Sequence, residues 1–545
     1  MPSSEMPASI LILTESADRP FGSPEVLAEL FRAEGVNDLE TARLEGLAAK
    51  MIEGRSLIVV GPADPSPEAV DLLLSHASSG GGLICLSPGE AFAAKLGLKP
   101  TFTGVMHGRI RPFVEGFPET GLPIRGWAHR YTPEASAEAL SPLLDREGRP
   151  TGAPGILELR HGRGRVAVLA YDAALCVYLL RQGDPLLAGC RASGFSRMRP
   201  SDMFEGWQDE VDAAVPVADL HCRLLRELAH RVWPEDGTVL PWLWYYPGDA
   251  DTVLVLTSDD DWSKRDQFDA LIEACEAHDA RLTFYIVQER SVMERAWMEG
   301  LIRRGFDFSI HPVLEPPTYP LWEARLAAHV RQFEEAYGRP PSPSVRNHAI
   351  MWAGYVTGAR VEARLGFTFD TNCFSLMPQG RYYMAGGGVP MPFSDLSGET
   401  LPVFQLPTQF SDETTLGAHA WSLGLTPEEG VSLVTDLMRR NAAGTHSMLC
   451  VNAHPVSFAT YSAPLWTPVM AFAKQAGIPV CDVDRFSRFW HARREVRLRP
   501  IPKGQDVVHV PTPAAGQSAM IPVEKPTPGA RTRTLGGRMF RVCPL

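Results

Sequence analysis

Short unbroken apolar runs alternate along this chain with longer stretches in which apolar residues recur every three to four positions. Residues 10–13 read as a strand, and residues 24–34 as a helix with Val26, Leu27, Leu30 and Phe31 on one face. Residues 57–60 predict a second strand, stopped by Gly61 and Pro62. Pro67 opens a helix whose buried side is Val70, Leu72, Leu73 and Leu74. Gly80, Gly81 and Gly82 break it, and a third strand follows at 83–86. Such βαβ repeats imply a parallel sheet flanked by helices. From about 101 to 170 the pattern turns β-rich, with strands at 155–159 and 165–170 flanking the hairpin turn HGRG. A helix is expected over 219–233, where Leu220, Leu224, Leu225, Leu228 and Val232 recur at helical spacing. The proline- and aromatic-rich stretch 240–251 reads as an apolar strap sealing a second domain, with a sugar platform as the lesser alternative.

A second α/β series follows. Strands are expected at 253–257, 282–287, 306–310, 344–346, 367–369, 403–406, 448–453 and 479–482, with helices at 268–277, 292–304, 321–337, 427–441 and 464–476. Units of this size in this number suggest an incomplete TIM-like barrel. The expected organisation is therefore a domain over 1–215, a helix and aromatic connector over 216–250, a barrel over 251–495, and a tail over 496–545 that is β-rich or partly disordered.

The chain has 545 residues, more than one hydrophobic core usually serves, in keeping with several domains. A net charge of −12 argues against nonspecific nucleic-acid binding. Nine scattered cysteines form no CxxC pair and read as reduced thiols. The first residues lack a basic region ahead of an apolar core, and no stretch approaches the length of a membrane span, so a cytoplasmic location is expected. Nothing in the pattern specifies an oligomer.

Candidate chemistry gathers just past the strands of the second series. The run at 253–256 leads directly into Asp259, Asp260 and Asp261, three adjacent carboxylates that repel one another unless a positive group sits among them. Later strands deliver His311, then Arg346 and His348, then Asp370, His454 and Asp482. In a parallel barrel these ends share one face, where active sites form.

The order of these residues resembles the polysaccharide deacetylase family, whose NodB-homology domain opens with T-F-D-D-G. Here Thr257-Ser258-Asp259-Asp260-Asp261 stands in that place. Gly305 to His311 is similar to the family's approach to a metal-ligand histidine, Arg346 to the arginine opening its third motif, and Val451 to Pro455 to the last motif. The resemblance implies an irregular (β/α) barrel and removal of an acyl group from an N-acylated carbohydrate by metal-activated water. It implies Asp259 as base, Arg346 as its partner, His454 as acid, and Asp260 and His311 as ligands of Zn²⁺, with Co²⁺ or Mn²⁺ also suited. The family's second histidine, four residues after the first, is replaced by Glu315. The third ligand is then His348 from the next strand end, or Glu315. Asp370 is expected behind the site, Trp352 along the cleft, and Asp261 and Asp482 near metal or substrate. The alternative is a carbohydrate-binding or scaffold protein that keeps the barrel and has lost the chemistry.

The stretch SSGGGLICLSPGEAFAAKLGL, residues 78–98, resembles class I glutamine-amidotransferase-like domains and implies a flavodoxin-like parallel sheet over 1–215. Those enzymes carry a cysteine in a tight elbow after the strand. Cys85 falls inside the strand instead, Ser87 lacks the GxSxG pattern, and the domain is expected to be non-catalytic.

Overall fold

The computed structural model describes residues 7–15, 19–134, 137–190, 198–204, 212–314, 319–374, 376–377, 380–381, 383–419, 422–505, 510, 515–526 and 528–545. Its N-terminal half begins with β1 (Ile10–Thr14), α1 (Pro24–Ala33), β2 (Leu39–Arg43), β3 (Leu57–Val60), α2 (Pro67–Ser78) and β4 (Gly82–Leu86). Every residue of β1, β3 and β4 is buried, as their unbroken apolar runs require of strands covered on both faces. Ser23 and Ser66 cap α1 and α2, each hydroxyl accepting a backbone N–H three residues on, with a proline in each first turn. β5 (Ala137–Leu144), β6 (Pro150–His161), β7 (Gly164–Leu169) and α3 (Ala173–Gln182) complete the unit.

The expected parallel strands and the expected hairpin share one sheet. β2, β1, β3, β4 and β7 run parallel in that order, but β6 and β5 extend the sheet antiparallel through the hairpin at Gly162–Arg163. β2 carries no apolar signal because it is an edge strand, with only Leu39 buried.

α4 (Val217–Val232) is buried almost all round. The strap then contributes β8 (Trp242–Leu243). β9 (Leu254–Asp259) begins the second sheet, followed by α5 (Arg265–Ala277), β10 (Thr283–Ile286), α6 (Arg295–Arg303), β11 (Asp307–Ile310), α7 (Tyr319–Tyr337), β12 (Ser344–Val345), α8 (Thr357–Arg364) and β13 (Phe369–Asp370). Next come β14 (Met391–Ser394), β15 (Thr400–Gln405), β16 (Phe410–Ser411), α9 (Asp412–Leu416), α10 (Pro427–Arg440), β17 (Leu449–Asn452), α11 (Ala463–Gln475), β18 (Val480–Cys481) and α12 (Val483–Glu495). The strand order is β14-β15-β13-β12-β11-β10-β9-β17-β16, with β18 also on β9. All neighbours are parallel except β14 against β15. The parallel strands put their carboxyl ends at one end of the sheet.

The tail forms β19 (Ser518–Pro522), β20 (Thr532–Leu535) and β21 (Arg538–Pro544), which join β8 in a four-stranded sheet through Trp242↔Met520 and Leu243↔Ala519. One apolar core runs from Ile10 and Phe31 through α4, Trp242 and Val255 to Phe540. Polar contacts bind the same parts: Asn37 Nδ2 donates to the carbonyls of Arg493 and Val496, both at 2.9 Å, and buried Arg226 pairs with Glu34 at 2.8 Å. Among the described residues no helix is long and apolar enough to cross a membrane.

Candidate active site

Alternation along β9 puts Thr257 and Asp259 on one face. Asp259 is buried. Its Oδ1 accepts a hydrogen bond from Arg346 Nη1 at 3.4 Å, and its Oδ2 one from Asn452 Nδ2 at 3.0 Å. Arg346, fully buried just past β12, also donates to Thr257 Oγ1 (2.7 Å), Thr408 Oγ1 (2.6 Å) and the Thr371 carbonyl (3.2 Å). Satisfied on so many sides, the guanidinium is a fixed cation behind the Asp259 carboxylate.

The next two aspartates exchange the places expected of them. Asp260 is turned away: its Oδ2 accepts from Ser291 Oγ at 2.9 Å and its Oδ1 from the Ser263 N–H at 3.2 Å, while burial raises its carboxyl to about 6. Asp261 is the carboxylate that meets the histidines. With φ at 43° for Asp261 and 57° for Trp262, two successive left-handed residues follow the strand end. Asp261 Oδ1 lies 3.3 Å from His311 Nε2, and Oδ2 lies 3.6 Å from His454 Nε2. Burial would raise this carboxyl, but His311 and then His454 and His348 hold it below the usual carboxylate range.

His311 Nδ1 sits 2.8 Å from the Arg346 carbonyl, which can only accept, so Nδ1 carries the proton and Nε2 is left facing Asp261. Two acceptors that face one another need a proton or a cation between them. Burial pulls the His311 pKa down, and Asp259 and Asp261 together outweigh it and raise it. The His348 ring stands 5.5 Å from that of His311 and 5.2 Å from that of Trp262. His348 Nδ1 and Asp261 Oδ1 are buried with no hydrogen-bond partner. Orphaned buried atoms of this kind, one on a carboxylate and one on an imidazole, are of the chemistry that suits a divalent metal.

On the opposite side, His454 Nδ1 is 2.6 Å from Asp412 Oδ1, and its backbone N–H donates to Asp412 Oδ2 at 2.9 Å. Its Nε2 faces Asp259 at 3.8 Å. Burial disfavours the charged ring, but Asp412, then Asp261 and Asp259, raise its pKa well above the ordinary value. Asp261, Glu413 and His454 each present a ligand atom within 4.8 Å of the others'. These groups surround a cavity of about 230 Å³. Asp412 and Glu413 are absent from the sequence reading because β16 has two residues, too few to register as an apolar run. The usable signal was Ser411-Asp412-Glu413-Thr414, a reciprocal cap with acids in its first turn.

Other expected residues lie elsewhere. Asp482 caps α12, accepting from the Arg485 N–H at 2.7 Å. The adjacent Val483 N–H donates to Thr283 Oγ1, at the first residue of β10, so Asp482 stands near the opposite end of the sheet. Trp352 is stacked on Phe393 in the core, its indole N–H donating to the Tyr355 carbonyl at 3.2 Å, and does not line the cavity. Asp370 stands behind the site: it accepts from the Asn372 N–H at 3.1 Å, and Asn372 Oδ1 accepts from the Asn347 N–H at 2.6 Å. Glu315 lies outside the described residues.

No family model matches the sequence, and neither does any curated protein. Solved structures do match. A protein from Mycobacterium smegmatis described as a polysaccharide deacetylase aligns over 49% of this chain and 98% of its own, at 13% identity and a TM-score of 0.37. Agd3, described as a novel carbohydrate deacetylase, aligns over 98% and 97%, at 9% identity and 0.41. Puue allantoinase aligns over 46% and 93%, at 12% and 0.36. A likeness of this size decides neither fold nor chemistry.

Proposed function

We propose that this protein is a metal-dependent hydrolase that removes an acyl group, such as acetyl, from the nitrogen of an N-acylated carbohydrate. The observation that carries the reading is a pair of fixed acid–base groups facing one another across one cavity. Asp259 is held by Arg346 and Asn452, and His454 by Asp412, with Asp261, His311, His348 and Glu413 beside them. The substrate class rests on the motif order along the chain, which resembles that of polysaccharide deacetylases.

Asp261 would anchor the ion, with His311 and Glu413 beside it, and His348, whose Nδ1 is without a hydrogen-bond partner, as the further candidate. When bound, Zn²⁺, Co²⁺ or Mn²⁺ lowers the pKa of a coordinated water and polarises the acyl oxygen. Asp259 accepts the proton of the attacking water, and the hydrogen bond from Arg346 orients that carboxylate. The C–N bond breaks as His454 Nε2 gives its proton to the departing nitrogen, leaving a free amine and a carboxylic acid. Asp412 fixes the ring by accepting from Nδ1.

The N-terminal half is read as a non-catalytic layer related to glutamine amidotransferases, its parallel β2-β1-β3-β4-β7 order being flavodoxin-like. Burial pushes the Cys85 thiol up. The buried Cys176–His221 pair is equally inert, because burial pushes the thiol up to about 12 and the imidazole down to about 4.

The test is acetate release from N-acetylated oligosaccharides by protein loaded with Zn²⁺, alongside metal analysis. Asp259→Asn is expected to lower kcat at least a thousandfold with metal content unchanged. A protein that takes up no divalent ion and is not stabilised by Zn²⁺ would sink the hydrolase. The second reading, a carbohydrate-binding scaffold, is favoured by one observation: His311 and His454 each have a carboxylate of the chain as neighbour, Asp261 and Asp412. It requires glycan binding unchanged in Asp259→Asn and no turnover by either protein.

A further inference from the structure

Two adjoining hollows of about 280 and 590 Å³ share the walls Val239, Lys503, Pro522 and Arg538. They lie where three parts of the chain meet: β7 through Arg165, the end of α4 through His230 and Arg231, and the tail sheet through Pro522 and Arg538. Arg165, Arg231, Lys503, Lys525, Arg538 and Arg541 line them against two carboxylates, Glu235 and Glu524. This is a cationic hollow in a chain whose net charge is −12.

Two features distinguish the hollow from an ordinary solvated basic surface. The first is an unmatched cation. Arg165 is paired with Glu235, and Arg231 with Glu158. Arg538 is half-buried, its Nε is without a hydrogen-bond partner, and it makes no ion pair among the described residues. Burial lowers its pKa; Glu227 opposes this, while Arg226 and Arg231 add to the lowering. Its position is built: Gly536 and Gly537, with φ of 58° and 75°, form the two-residue turn between β20 and β21, and a Cβ on Gly536 would meet Val114 Cγ1 at 2.5 Å. The second feature is His230. It is 8% exposed, it forms part of the same wall, and its Nε2 has no hydrogen-bond partner. A buried nitrogen without a partner is the exception in folded proteins and calls for a ligand.

We propose that this hollow is a binding site for a phosphate-type oxyanion, free or carried on a small soluble ligand, with Arg538 and Lys503 as the charged contacts and His230 Nε2 as the buried one. A guanidinium fork matches phosphate oxygens, and an anion here removes the repulsion among Arg226, Arg231 and Arg538. Because the walls come from three parts of the chain, the anion ties them together and stabilises the folded form alone. The site owes nothing to the hydrolase reading.

The experiment is calorimetric titration of the full chain with inorganic phosphate and with pyrophosphate, at ionic strength held constant with sodium chloride, together with thermal unfolding. Saturable binding of one anion per chain and a rising Tm are expected. Arg538→Gln should weaken binding at least tenfold and abolish the rise in Tm. Lys503→Gln should weaken it several-fold, and Asp259→Asn should leave it unchanged. If Arg538→Gln fails to fold, the exposed pair Lys503→Gln/Lys525→Gln provides the comparison. Titration without saturation, or variants that bind as the wild type does, overturns the site.

Discussion

At the level of single residues, three consecutive aspartates have three different surroundings. The sequence pattern marks the trio but not which member faces the histidines, because strand alternation stops at Asp259 and the left-handed turn of Asp261 and Trp262 is invisible in composition. The geometry separates them. Asp261→Asn is expected to lower Zn²⁺ affinity at least a hundredfold. Asp260→Asn, whose partners are Ser263 and Ser291, should change it less than fivefold; competition with a chromogenic chelator measures both. Asp412 offers a pH test. It raises the pKa of His454, which must hold a proton to act as an acid, so activity is lost as pH rises through that pKa. In Asp412→Asn the pKa falls, and the basic limb of kcat/KM moves to lower pH, with kcat down by about 10²-fold. A limb left in place would remove His454 from the acid role.

The elements most legible in the sequence are those with a strong period or an unbroken apolar run: β3 matches its expected range, and α1, α2, α5 and α10 fall within one to three residues of theirs. Those missed are edge strands such as β2 and two-residue strands such as β16, which exist through tertiary pairing and carry little local signal. For that reason Asp412 and Glu413 went unseen while His454, after the apolar β17, stood out. Element fit also makes a stability prediction. Gly35 follows α1 with φ at 77°, and a Cβ there would lie 2.2 Å from the Leu243 carbonyl oxygen in β8. Gly35→Ala is expected to destabilise by about 3 kcal/mol in urea unfolding, since both the backbone conformation and the close approach exclude a side chain. A loss under 1 kcal/mol would mean that α1 and β8 separate easily.

At the scale of the molecule, the boundaries that the pattern suggests at about 215, 250 and 495 are crossed by a continuous core. Calorimetry of the intact chain should show a single unfolding transition, and residues 251–495 expressed alone should not fold, having lost the partners of Arg493 in α1 and β8. Two separable transitions would contradict this. Burial also sets an acid limit through His221, whose folded pKa is about 4 against about 6.5 unfolded. Its pKa is depressed, so its contribution is present above 6.5 and is lost as pH falls towards 4, which amounts to about 2–3 kcal/mol between pH 7 and 4.5. Asp307, raised to about 7 by burial, works in the opposite direction, so the effect is read as a difference from His221→Gln, which should lose less stability over that interval than the wild type.

The pairing of β8 with β19 has a consequence for synthesis. Trp242 and Leu243 leave the ribosome about 280 residues before Met520 and Ala519, the strand that covers them. At ordinary elongation rates this is roughly 15–60 s. Throughout that interval the nascent chain displays its aromatic strap uncovered, a natural client for chaperones that grip extended apolar segments.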